Sequence, residues 1–327
     1  MSENEIYDLV IVGGGPGGLS AGIYAMRAAL KTVLIEKGLP GGQVNLSDEV
    51  ENYPGFIRTS GAELSMKFAE HARSYGLEER NEEVTAIEPG LKFHTVRTGN
   101  GQSVRTHAVI LSTGGTPRKL DIPGEDEYYG KGVSYCAVCD GFFFRGKEVI
   151  VVGGGDSACE EALYLAKLAA KVTIVHRRDA LRASMILQQR VEADCNIEVL
   201  WNAVVTEIKA GQDGVDAVTL QDTQTLESRD MNIDGVFIFI GFVPNNALAP
   251  AGTRLNSEGF VITDDKCETN TPGIFAVGDV RERYARQIVL AAGDGALAAL
   301  AAAHYVETRK ANDAGDACEL PAGFMDG

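Results

Sequence analysis

Basic residues are the first scarcity in this 327-residue chain. Its 30 Lys and Arg stand against 46 Asp and Glu, a formal charge of −16. A surface so acidic excludes general binding to nucleic acid or to anionic membrane, both of which need basic surface. Histidine is rare, at five residues, and no two histidines fall at a metal-ligand spacing. The six cysteines, at 136, 139, 159, 195, 267 and 318, are irregularly spaced. That excludes the disulfide framework of a small secreted domain. No apolar run has the length and flanks of a membrane span, and Met1-Ser2-Glu3-Asn4-Glu5 is acidic where a secretory leader is basic. These absences together predict a cytoplasmic protein with reduced thiols, no resident metal, no nucleic-acid partner and no membrane.

What is present begins with a repeat. Residues 8–37 and 148–177 align without a gap, 140 positions apart. Leu9-Val10-Ile11-Val12 runs into Gly13-Gly14-Gly15-Pro16-Gly17-Gly18, and Val149-Ile150-Val151-Val152 runs into Gly153-Gly154-Gly155-Asp156-Ser157-Ala158. Each copy reads as a buried parallel strand, a glycine turn, a helix and a second strand, the dinucleotide-binding βαβ pattern. In that pattern the first Gly allows the tight turn and the second admits the pyrophosphate. The third lets helix pack on strand, with the phosphates at the helix N-terminus. Leu19, Ile23, Met26 and Leu30 form one apolar face, and their counterparts Cys159, Leu163, Ala166 and Ala170 are expected to form another.

The copies differ at the end of the second strand. Thr32-Val33-Leu34-Ile35 ends in Glu36, a carboxylate that can accept from an adenosine ribose and would repel a 2′-phosphate. Val172-Thr173-Ile174-Val175 ends in His176-Arg177-Arg178, with Arg182 beyond, and guanidinium groups there suit a 2′-phosphate. Copy one is therefore expected to hold a dinucleotide with a free ribose, and copy two NADPH.

Cys136-Ala137-Val138-Cys139-Asp140 lies just before the second copy. A C-x-x-C in such a chain is a redox dithiol or half a zinc site. A structural zinc needs four ligands, and no further Cys or His pair supplies them. In the redox reading, neighbouring thiols favour the reactive thiolate. Asp140 then moves the proton of disulfide exchange, or only caps the Asp140-Gly141 turn.

The run Cys136-Ala137-Val138-Cys139-Asp140-Gly141-Phe142-Phe143 resembles the active site of the bacterial-type, low-molecular-weight thioredoxin reductases. So do Gly41-Gly42-Gln43, Glu51-Asn52-Tyr53-Pro54-Gly55, Ser112-Thr113-Gly114, Ile240-Gly241 with Pro244-Asn245, Thr271 to Asp279, and Arg286-Gln287. The resemblance covers about residues 6–306. It implies an α/β fold of two Rossmann-like three-layer domains, the NADPH domain inserted into the FAD domain. The FAD domain takes 1–116 and 248–327, with 307–327 a flexible tail, and the NADPH domain takes 117–247.

It further implies FAD on Gly13, Gly15, Pro16, Gly17 and Glu36, with Gln43, Asn52, Thr113, Gly114, Asp279, Arg286 and Gln287 completing that site. NADPH would lie on Gly153, Gly155, Asp156, Ser157, His176, Arg177, Arg178 and Arg182. Cys139 would face the flavin, Cys136 would form the mixed disulfide with thioredoxin, and Asp140 would be the acid/base. A homodimer and rotation of one domain against the other are implied as well. The chain departs from the pattern at Val138, Ser112 and Phe242. Cys318, with no neighbouring thiol, is expected to be incidental.

Overall fold

The computed structural model describes residues 6–47, 50–211 and 214–316. The chain divides into two compact units. The first comprises Met1–Glu49, Tyr53–Gly115 and Pro244–Gly327; the second comprises Val50–Asn52 and Thr116–Val243. The crossings thus fall slightly before 116/117 and 247/248, and Val50–Asn52 groups with the second unit rather than the first.

In the first unit, β1 (Ile6–Val12) pairs in parallel with β2 (Thr32–Glu36), and β2 with β3 (Glu78–Asn81). β4 (Val84–Glu88) and β5 (His94–Thr98) form an antiparallel meander with β6 (Ser103–Leu111). The far end of β6 runs parallel to β1 and to a short strand, Ile274–Ala276. β1 is apolar almost throughout because both its faces are covered. Leu9 and Ile11 enter one core with Leu19 and Ile23 of α1 (Pro16–Arg27), while Val10 and Val12 enter another with Val84, Val96 and Val104 of the meander. The period of two along the strand sorts them. The helix α2 (Gly61–Ser74), capped by the Ser60 hydroxyl accepting from Glu63 N, adds Ala69 and Ala72 to the first core.

The C-terminal helix runs Ile288–Asp316, so it takes in the first ten residues of the tail expected from 307. Residues 306–311 are mostly good helix formers, and the segment is anchored. Val306 is buried, Arg309 donates to Leu91 O, and Lys310 Nζ lies 2.7 Å from Asp8 Oδ1. Cys318 lies outside the described residues. By length and composition this helix resembles a membrane span. Its Ala298, Ala299, Ala302 and Ala303 nevertheless belong to the core beside α1. The approach to α1 is close: a Cβ on Gly295 would collide with Gly17 O, and Ser20 Oγ donates to Ala292 O at 2.7 Å.

The chain enters the second unit through β7 (Gly115–Pro117). β8 (Val133–Ser134), β9 (Glu148–Gly153), β10 (Lys171–Val175), β11 (Ile197–Leu200) and, later, Gly235–Phe239 form its parallel sheet, which has the order β11-β10-β9-(235–239)-β8. One face carries α3 (Ala137–Asp140), α4 (Asp156–Leu165) and α5 (Met185–Ala193). The other carries an antiparallel sheet of β12 (Ala203–Ala210), β13 (Val215–Asp222) and β14 (Ser228–Asn232). Phe242–Pro244 returns the chain and pairs with β7.

The expected helix face needs one correction. Cys159 and Ala166 are buried and Leu163 half-buried, but Ala170 is exposed. α4 ends at Leu165, so the 3.6-residue period no longer governs position 170, and Ala169 takes the buried place.

Candidate active site

Cys136 and Cys139 are joined as a disulfide across the single turn of α3. Cys136 is the N-cap, and its Sγ accepts the Cys139 N–H at 3.2 Å. An N–H aimed at sulfur, at a helix N-terminus, favours thiolate once the bond is reduced. Cys136 is half-buried and Cys139 exposed.

Ser134, at the end of β8, organises the acid. Its hydroxyl donates to Asp140 Oδ2 at 2.5 Å and accepts the Cys136 N–H at 3.0 Å. The Asp140 carboxylate is thereby tied, through Ser134, to the backbone of Cys136. Burial, and then the Asp140 charge, push the Tyr129 hydroxyl up. Beneath this layer, buried Glu125 accepts from Tyr135 Oη at 2.7 Å and from the backbone N–H of Leu120 and Asp121 at 2.9 and 2.7 Å. Tyr135 is pushed up by burial and by that hydrogen bond.

Glu161 on α4 accepts the Ala137 N–H inside the C-x-x-C turn. Burial and then the charge of Glu160 raise its carboxyl above the usual range, and its Oε2 has no partner among the described residues. Ser134, Glu125 and Glu161 escaped the sequence reading, because isolated polar residues carry no spacing signal.

The second glycine turn lies in the same unit. Gly155 caps α4, and a Cβ there would meet nothing within 4 Å, while Asp156 and Ser157 stand exposed in the first turn. Asp156 Oδ1 accepts Ser184 N–H at 2.6 Å. Arg177, Arg178 and Arg182 are exposed, and Arg182 N–H donates to Gly154 O at 2.7 Å, which fastens the arginine loop to the turn. His176 does not stand out with them. It is buried, with Nδ1 2.8 Å from Gly153 O and Nε2 3.0 Å from Ala180 O.

In the first unit, Gly13 holds φ +104° and Gly15 opens α1 with empty space where a Cβ would be. Pro16 begins the helix, with no acidic residue in its first turn. A Cβ on Gly17 would press on Val277, Ala291 O and Ser112 at 3.1 to 3.2 Å, a tight fit that favours glycine there. Glu36 accepts Gly14 N–H at 2.7 Å through Oε2 and Gly38 N–H at 2.8 Å through Oε1, which fixes the carboxylate against the turn.

Gln43 is exposed on a short 3-10 turn, Gly42–Leu46. Thr113 Oγ1 donates to Asn245 O at 2.7 Å, and Gly114, at φ +66°, has open space at its Cα. Burial raises the carboxyl of Asp279, partly offset by the charges of Arg283 and Arg286. Burial also lowers Arg286, which lies over the Phe260 ring at 4.5 Å. Gln287 directly precedes the C-terminal helix and its carbonyl accepts Ala291 N–H at 3.0 Å. Asn52 groups with the second unit.

The pyridine nucleotide-disulphide oxidoreductase family matches residues 7–295. Thioredoxin reductase of Bacillus subtilis is 48% identical over 307 residues, 94% of this chain and 97% of that protein. The chain belongs to the thioredoxin reductases of this family. Among solved structures, thioredoxin reductase of Streptococcus pyogenes is 45% identical with a TM-score of 0.90, covering 93% of this chain and 99% of its own. The Lactococcus lactis thioredoxin reductase in its FR conformation is 46% identical with a TM-score of 0.63, covering 92% and 99%. The two-unit α/β architecture is thus that of a thioredoxin reductase.

Proposed function

We propose that the chain is an NADPH-dependent thioredoxin-disulfide reductase, moving electrons through FAD and the Cys136–Cys139 pair to the disulfide of oxidised thioredoxin. The observation that carries this reading is the disulfide on α3, with an acid fixed beside it, in the unit whose glycine turn is bonded through Arg182 to a loop of three exposed arginines. Use of a flavin and a pyridine nucleotide follows from the family. The residues fit FAD in the first unit and NADPH in the second: both helix N-termini, at Gly15 and Gly155, leave room where any Cβ would intrude on a pyrophosphate. When bound, NADPH supplies a hydride and FAD passes the electron pair to a disulfide.

The chain's own part is thiol exchange. Cys136 thiolate attacks one sulfur of the thioredoxin disulfide, forms a mixed disulfide and expels the other sulfur as thiolate. Cys139 then attacks Cys136, reforms the disulfide and releases the second thioredoxin thiolate. Asp140, held by Ser134, takes the proton from the attacking thiol and returns it to the leaving sulfur. Glu36 holds the ribose of the first dinucleotide, and Arg177, Arg178 and Arg182 hold the 2′-phosphate of the second. His176 supports that site from below, by pinning the arginine loop to the glycine turn.

The dithiol has to meet both the flavin and a protein partner, which calls for rotation of one unit against the other. Solved relatives of 45% and 46% identity match with TM-scores of 0.90 and 0.63, which supports such a rotation in this family. A cytoplasmic homodimer completes the proposal.

The test uses the purified protein, read for a flavin spectrum and for NADPH oxidation driven by oxidised bacterial thioredoxin. A colourless protein, or turnover that survives Cys136→Ser, rejects the proposal.

A further inference from the structure

The C-terminal helix sends one acidic side chain into the interior of the first unit. Asp294, 12% exposed, lies 3.2 Å from Arg281 Nη1 and 3.1 Å from Arg283 Nη1. Its Oδ2 also accepts the backbone N–H of Gly278 at 3.1 Å. Gly278 holds φ +68° and opens the short 3-10 turn that presents Asp279. Arg281 Nη1 reaches on to Cys267 Sγ at 3.1 Å, tying in a second segment. Arg283 acts on both carboxylates, pairing with Asp294 and offsetting part of the burial that raises Asp279. One carboxylate thus gathers Gly278, Arg281 and Arg283 of the loop between Val277 and Gln287.

A buried charged trio is a poor way to gain stability, since apolar residues of similar volume do as well or better. What such a trio supplies is a single arrangement, because each charge has only one place where it is satisfied. The helix around it is alanine-rich.

We propose that Asp294 is a positioning residue for the flavin site: it fixes the Gly278–Asp279 turn so that Asp279 meets FAD in one orientation. This rests on the reading of the first unit as the flavin unit. The effect passes through the Gly278 N–H and through Arg283.

The test measures FAD release from the holoprotein on dilution, followed by flavin fluorescence. Asp294→Asn keeps an acceptor for Gly278 but loses both ion pairs. The expected result is a dissociation constant about tenfold higher, the loss of roughly one charge-assisted hydrogen bond. In an Asp279→Asn background the same change should matter less than twofold, because the residue it orients is gone. The shape of the bound-flavin absorption bands should change with Asp294→Asn, a readout that a packing role would leave alone.

A folded Asp294→Asn within twofold of wild type overturns the proposal, as does a tenfold loss that persists in the Asp279→Asn background. If Asp294→Asn fails to fold, the apolar trio Arg281→Met, Arg283→Met, Asp294→Leu decides. Weak flavin binding by that folded variant supports positioning, and normal binding overturns it. A wild-type protein that holds no FAD rejects the functional reading itself, a distinct outcome.

Discussion

The two glycine turns are built from one plan and differ in where each places its tightest contact. In the first, Gly13 takes φ +104°, and a Cβ at the third fingerprint position, Gly18, would collide with Gly13 O. In the second, that position is Ala158, and the burden shifts to Gly153, whose added Cβ would lie 2.6 Å from the Ala158 Cβ and 2.5 Å from Phe239 O. In both copies the first and third fingerprint positions thus press on each other, and Gly13 is confined by Ser112 O as well. The middle glycines tell the copies apart. A Cβ on Gly14 would press on Glu36 at 3.2 Å, whereas one on Gly154 would collide with the His176 ring. Each middle glycine leaves room for a side chain at the end of the following strand, Glu36 in the first copy and His176 in the second.

The largest way to break this comparison is to exchange the third positions. Gly18→Ala should destabilise the first unit by about 3 kcal/mol, the upper end of overpacking. Ala158→Gly should cost the second about 1 kcal/mol, a helix-propensity loss. Urea unfolding measures both, and similar losses would show that the tight contact is not specific to the first copy.

Removing the arginines is next. Arg177→Ala with Arg178→Ala should raise KM for NADPH about 100-fold, near 1.4 kcal/mol for each lost charged contact, and leave KM for NADH alone. Parallel steady-state kinetics with the two nucleotides check it, and an equal rise for both would remove the assignment of the second turn.

Gly15→Ala and Gly155→Ala sharpen the comparison at a finer level. Their φ values, −72° and −97°, suit any residue, and no protein atom would meet the new Cβ. Stability should stay within about 1 kcal/mol. Gly15→Ala should lose flavin, and Gly155→Ala should lose NADPH binding, each about tenfold and without affecting the other. Flavin content and NADPH titration report the two effects, and crossed losses would contradict the division of labour.

The smallest effect concerns Asp279. Burial holds its folded pKa above the ordinary 3.8. Below 3.8 the group is protonated in both states and costs nothing; above the folded value, the folded state bears the full cost of ionisation. Asp279→Asn should therefore stabilise the flavin-free protein at pH 7, with the gain fading as the pH falls toward 3.8. Thermal melts across that range test it, and a gain independent of pH would place its cause elsewhere.

Much of this was legible in the sequence, because repeats, glycine spacing and strand-length apolar runs are local signals. β1 and β9 end at the residues where the glycines begin. What escaped depends on contacts between distant segments. Ala170 continued a helical period that the chain abandons at Leu165. The helix through Asp316 persists because Arg309 and Lys310 find partners at Leu91 and Asp8, far away in sequence. Ser134 and Asp294 have no motif; they matter through what the fold sets beside them. The position of His176 just past its strand is a local signal, but the direction of its ring is a property of the packed loop.

The order of synthesis draws a last consequence from the discontinuous first unit. α1 carries the first glycine turn, yet it packs on a helix that begins at Ile288, where Gly295 fits against Gly17 and Ser20 bonds to Ala292. A ribosome delivers those partners only after the whole second unit has been made. The second unit, drawn almost wholly from Thr116–Val243, is complete long before. The nascent chain therefore folds its middle first and leaves α1 and the opening strands waiting. Truncation before residue 288 should yield a chain with a sound second unit and a first unit that never closes.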